Sequence, residues 1–417
     1  MIEYERYTLA NGLRVIHNYD PSTVMVAVDV LYNTGARDEA RELTGIAHLF
    51  EHLMFGGSVN IPSFDKELEN AGGENNAWTS NDFTNFFDVV PAQNIETVFH
   101  LESDRMLGLS FNPESLRVQR SVVIEEFKQQ CLNRPYGDLM HGLRAALYSP
   151  QHPYSWPVIG LEPGHIAKVT DADVRSWFYA HYAPDNAVLA ISGNLTYDRG
   201  RELVEKWFGD IPRRSVSPRS MPAPGFPAEI VTRQMYGAVP YPNVVVAIPM
   251  DPYGTDDYRV ADCITDLLSA GRSSRMYRRL IAEGDGSIIE ADASVAGSEA
   301  PGFVMLTARP AADTEVALEA ARDALLEQLR QLAVPGDVSE HELQRTLNRF
   351  ESTFELMNVD ALSKAQNLAM AEMHGEDIND TVSRQRRITT ADISRVATAL
   401  AATPYVVLYY RPDNKDK

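Results

Sequence analysis

Cysteine is close to absent from this chain, with two residues, Cys131 and Cys263, in 417. They stand far apart and outside any metal-ligand spacing. This reads as two inert buried thiols rather than a disulfide framework or a cysteine metal site. Basic charge is also scarce. Against 58 Asp and Glu there are 38 Lys and Arg, a formal net charge of −20, which argues against nucleic acid or an anionic membrane as partner. No apolar run approaches the roughly 20 residues that a membrane helix needs. The opening MIEYERYTLANG has neither the basic nor the apolar region of a secretory signal, so a cytoplasmic location is expected, or a periplasmic one if a leader was removed.

What remains is the composition of a soluble globular protein, 44% apolar and 23% charged. The chain is too long for one ordinary core, so two or more domains are expected. Asn11-Gly12, between two β-rich runs, predicts a hairpin. VMVAVDVLYNTG (24–35) reads as a sheet strand, and the helix through GIAHLFEHLMF stops at Gly56-Gly57. Further helices are expected near 64–71, 93–108, 114–131, 171–182 and 197–208, with a strand in AVLAISGN at 187–194.

Residues 211–227 hold five prolines and no periodicity, which marks an interdomain break. Beyond it the order begins again. VVVAIPM and GFVMLTARP read as strands, DDYRVADCITDLL and SSRMYRRLIAE as helices. Long amphipathic helices cover roughly 313–333 and 338–372, and YVVLYY closes the chain as a strand. Thr170, Ala172 and Asp173 recur as Thr389, Ala391 and Asp392 at a constant offset of 219. With the shared order of elements, this repeat predicts a duplicated α+β architecture. The expected domains are 1–212, a Pro-rich linker over 213–228, and a homologous domain over 229–417.

Residues 48–52 read His-Leu-Phe-Glu-His. On a helix, positions four apart lie on one face, so His48 and His52 can hold one Zn²⁺ with Glu51 beside them. Ile46, Leu49, Phe50, Leu53, Met54 and Phe55 around them mark a buried helix. Two histidines and a glutamate there are costly unless something satisfies them, and a metal does. A bare His pair four apart often arises by accident; the neighbourhood decides.

The order H-x-x-E-H is the inverse of H-E-x-x-H and belongs to the inverzincins. NGLRVI, GARDE (35–39), TGIAHLFEHLMFGG, GGENNAWTSNDFTNFF (72–87), LESDRM (101–106), VVIEEF (122–127) and HPYSWPVIG (152–160) surround it. In these stretches the chain resembles the pitrilysin and mitochondrial processing peptidase family of zinc metallopeptidases. The resemblance covers the whole chain and is more specific in the first half. It implies two homologous domains, each a mainly antiparallel sheet covered by helices, together forming half of a clamshell chamber. It also implies a zinc-dependent endopeptidase acting on unfolded peptides, with one Zn²⁺ per chain.

The resemblance further implies a third ligand from a V-V-x-E-E pattern, matched by Val122 to Glu126. Glu126, 74 residues past His52, aligns with it, and Glu125 is the alternative. Three ligands leave the fourth zinc position for water, whose proton Glu51 would take as general base. Asn76 and Ala77 align with a pair that binds substrate main chain on an edge strand, a case of β-augmentation. The departures lie mostly in the second half. Where many members carry an Arg and a Tyr, Ile281 and Ile288 stand here, and Gln119 replaces a second glutamate. The missing pair implies a homologous partner subunit or a homodimer. The rival reading is a non-catalytic or partner-dependent structural subunit, against which the intact H-x-x-E-H stands.

Overall fold

The computed structural model describes residues 1–413 apart from 215, 217, 218 and 298. Three of the expected linker positions, 215, 217 and 218, therefore lie outside the described residues. The strands of the first sheet are β1 (Glu5–Thr8), β2 (Arg14–Tyr19), β3 (Met25–Tyr32), β4 (Glu74–Thr79), β5 (Thr84–Pro91) and β6 (Ala187–Gly193). Those of the second are β7 (Val231–Gly237), β8 (Asn243–Met250), β9 (Ile288–Ala296), β10 (Gly302–Pro310) and β11 (Val406–Pro412). Five helices matter below: α1 (Ile46–Leu53), α2 (Pro113–Phe127), α3 (Asp256–Ser269), α4 (Glu340–Met357) and α5 (Ala361–His374).

The predicted hairpin joins β1 to β2, with Gly12 at φ +94°, a conformation that side-chained residues rarely adopt. The first sheet runs β1-β2-β6-β3-β5-β4 and the second β7-β11-β8-β10-β9. In each, one pair is parallel, β2 with β6 and β7 with β11, and every other pair is antiparallel. Dropping β1, the two orders superpose strand for strand. The repeated Thr and Asp are capping boxes in both halves, Thr170 with Asp173 and Thr389 with Asp392. The fold is thus mixed α and β, built twice.

The compact units interleave along the chain. One comprises 1–127, 157–220 and 353–381, the other 128–156, 221–352 and 382–417. The expected linear division at 212 and 229 therefore differs from the contacts in two segments, and apolar faces explain both. Helix α5 lays Ala365, Leu368 and Ala369 on Ile16, Ala27, Leu31, Val188 and Ala190 of the first sheet. A leucine buried so contributes about 1.5–3 kcal/mol, enough to hold the segment there. The helix Leu139–Leu147 buries Leu143 and Leu147 against Val245, Val406 and Leu408 of the second sheet. The stretch read as helical over 338–372 is broken at 358–360, where Asp360 caps α5 through Ser363 N–H. Among the described residues, no helix is long and apolar enough to cross a membrane.

Candidate metal centre

Helix α1 divides its faces by helical spacing. Ile46, Leu49, Phe50 and Leu53 are buried in the core of the first unit, while His48, Glu51 and His52 share the partly open face. The helix starts at Gly45, whose φ of +90° turns the chain into the first turn. Its N-terminus is satisfied by Glu39, whose Oε1 accepts from Gly45 N at 2.9 Å and Ala47 N at 3.0 Å. That carboxylate fixes where the helix begins, and so where its histidines point.

Helix α2 brings Glu126 to the pair. The Nε2 atoms of His48 and His52 lie 3.3 Å apart. Glu126 Oε2 lies 3.7 Å from His48 Nε2 and 3.5 Å from His52 Nε2. Donors bound tetrahedrally to zinc at its usual N and O bond lengths stand about 3.4 Å from one another. The three atoms therefore already have the edge lengths of one face of a zinc tetrahedron, and the residues fit the ion. Glu125, the alternative, is exposed and outside the group. Burial, with His52 beside it, pushes the His48 pKa down to about 4, so its ring is neutral at pH 7, the form that binds metal. No fourth His, Cys, Asp or Glu joins the group among the described residues, which leaves an open position.

Glu51 is held by a partner that the sequence reading passed over. Thr79 Oγ1 donates to Glu51 Oε2 at 2.5 Å. Burial pushes the Glu51 pKa up to about 7; the Thr79 hydroxyl opposes that push, and the Glu126 charge adds to it. Thr79 ends β4, the strand that carries Asn76 and Ala77 and forms an edge of the first sheet. Asn76 Oδ1 accepts from Ala77 N at 2.8 Å on the exposed strand. Alternation along a strand puts Ala77 and Thr79 on one face, and that is the face Glu51 approaches. Alternation inside GGENNAWTSNDFTNFF gives only the face that Thr79 shares with Ala77; that Glu51 meets it there is visible in the fold alone. At the two positions aligned with the family's Arg and Tyr, Ile281 lies in the short helix Tyr277–Ala282 and Ile288 is buried at the start of β9.

Two family models match the chain. That for "Insulinase (Peptidase family M16)" covers residues 14–148, and that for "Peptidase M16 inactive domain" covers 168–350. The chain belongs to peptidase family M16. The insulinase model falls on the half that carries the three clustered donors, His48, His52 and Glu126. "Zinc protease PqqE" of Helicobacter pylori is 26% identical over 409 residues, 95% of this chain and 89% of that protein. "Mitochondrial-processing peptidase subunit beta" of Saccharomyces cerevisiae is 25% identical over 259 residues, 61% of this chain and 55% of that protein. A crystal structure of a protease from Helicobacter pylori matches with TM-score 0.88 at 24% identity, over 99% of this chain and 100% of that one, a likeness of fold.

Proposed function

We propose that this M16 chain is a zinc-dependent endopeptidase acting on extended, unfolded peptides. The observation that carries the reading is the triangle of His48, His52 and Glu126 donors at zinc-ligand spacing, with Glu51 tethered beside it. A zinc ion held there supplies Lewis acidity, lowering the pKa of a water and polarising the scissile carbonyl. Glu51 then takes the water's proton and returns it to the leaving amine. Asn76 and Ala77 offer main-chain hydrogen bonds on the edge of the first sheet, so a substrate can add as a further strand with little demand on its sequence. With Ile281 and Ile288 unable to bind a peptide carbonyl, a homologous subunit or a second copy supplies the missing grip on the substrate. A purely structural subunit would have no use for a tethered carboxylate beside three converging donors.

The test is Glu51→Gln, which keeps the shape and removes the base. Turnover of an unstructured fluorogenic peptide is expected to fall by about 10²–10⁴-fold with the zinc content unchanged. A variant that holds zinc and cleaves like the wild type would show that Glu51 is not the base.

A further inference from the structure

We infer that Thr79 is a positioning residue for Glu51, and that the segment 35–39 is the bracket holding the two partners in register. The inference deepens the peptidase reading above and rests on it. Glu51 and Thr79 lie on different elements, helix α1 and edge strand β4, and meet through one hydrogen bond of 2.5 Å. A glutamate side chain has rotational freedom that would spread its carboxylate over several places. The Thr79 hydroxyl removes that freedom at one oxygen, Oε2, and leaves the lone pairs of the other for a water's proton. Because Thr79 stands two residues beyond Ala77 on the same strand, the base and a peptide laid along β4 take their positions from one backbone.

The bracket grips both partners. On the strand side, Ala36 N donates to Ser80 O at 3.1 Å and Arg37 N to Asn81 O at 2.8 Å. The Arg37 guanidinium pairs with Asp82 at 2.7 Å, both buried, and sits 5.5 Å above the Phe83 ring. These contacts clamp the turn that follows Thr79. The approach is so close that a Cβ on Gly35 would lie 2.6 Å from Ser80 O and 2.7 Å from Asn81 O. On the helix side, Glu39 Oε1 holds the first turn of α1 through Gly45 N and Ala47 N. Five consecutive residues, Gly-Ala-Arg-Asp-Glu, thus fix the strand end and the helix start together, and the distance between Thr79 and Glu51 follows.

The test compares Thr79→Val and Thr79→Ser in the full chain with zinc, using an unstructured fluorogenic peptide. Valine keeps the β-branched shape that suits a strand and removes only the hydroxyl. The expected result is a kcat lower by about 10–100-fold, the usual cost of losing an outer partner of a metal site, with KM within about twofold. Serine, which restores the hydroxyl, is expected to recover most of the loss. Zinc content and melting temperature are expected to match the wild type in both. If valine does not fold, Thr79→Ala carries the comparison. Valine turnover equal to wild type, serine as poor as valine, or a loss that tracks zinc content or melting temperature overturns the inference and leaves the peptidase reading standing. A wild-type protein that binds zinc but cleaves no peptide defeats that reading, and the inference falls with it.

Discussion

The two units repeat one arrangement of strands and put different chemistry on it. In the first, the helix after β3 carries His48 and His52, four residues apart, and α2 adds Glu126. In the second, the helix after β8 is α3, and it carries Asp262 and Asp266, also four apart. Burial pushes both of these carboxyls up, Asp262 to about 6, and Arg349 on α4 draws Asp266 back down. One unit gathers two imidazoles and a carboxylate, a set that lacks only a cation from outside. The other sets acids beside a guanidinium of its own. A duplicated scaffold fixes where a helix places its i and i+4 side chains, while residue identity decides whether a metal is needed there.

The comparison is broken most severely at Glu126. Glu126→Ala removes one of three donors, and zinc affinity is expected to fall by more than about 100-fold, beyond the usual cost of losing an outer partner, with cleavage falling to background. Equilibrium dialysis with metal analysis reads the first, and the fluorogenic peptide the second. A variant that retained zinc would mean that the ligand triangle is misassigned.

A smaller effect concerns a buried acid of the first unit. Asp29 on β3 is fully buried; burial lifts its pKa from the usual 3.8 to about 8, while a hydrogen bond from Asn85 Nδ2 at 2.8 Å opposes the lift. A raised carboxyl stabilises the fold fully below its unfolded value, and that stability is lost as pH rises through the folded one. Wild-type stability is therefore expected to decline between about pH 4 and pH 8. Asp29→Asn is expected to lose less stability over that range and to be more stable than wild type by roughly 6 kcal/mol at pH 9. Urea unfolding at pH 6 and pH 9 checks the sign.

The smallest effect is expected in the second unit. By the same sign, Asp262→Asn gains about 3 kcal/mol at pH 8 and little at pH 4. Combined with Asp266→Asn it is expected to leave zinc content and cleavage unchanged. Loss of zinc from that double variant would overturn the division of chemistry between the units.

Much of this was legible in the sequence because it is local. The pair of histidines and Glu51 follow from helical spacing, and the duplication from Thr170 and Thr389 heading matched helices. Seven of the eleven described strands follow from the Asn-Gly turn and their apolar runs, whereas β5, β7 and β9 are not read there and β4 comes through the resemblance. Glu126 needed a resemblance, since 74 residues separate it from His52 and no periodicity crosses that gap. Spacing alone could not choose between Glu125 and Glu126; burial on α2 does. Thr79 was hidden because a hydrogen bond across elements leaves no local pattern. The interleaving was hidden too. The apolar stripe of α5 says that Ala365 and Leu368 are buried, not which sheet buries them.

The most direct test of the metal assignment is anomalous diffraction at the zinc absorption edge from crystals grown with zinc. The account predicts a single strong peak per chain, about 2 Å from His48 Nε2, His52 Nε2 and a Glu126 carboxylate oxygen. A peak elsewhere, or none at these three atoms in zinc-replete protein, would contradict it.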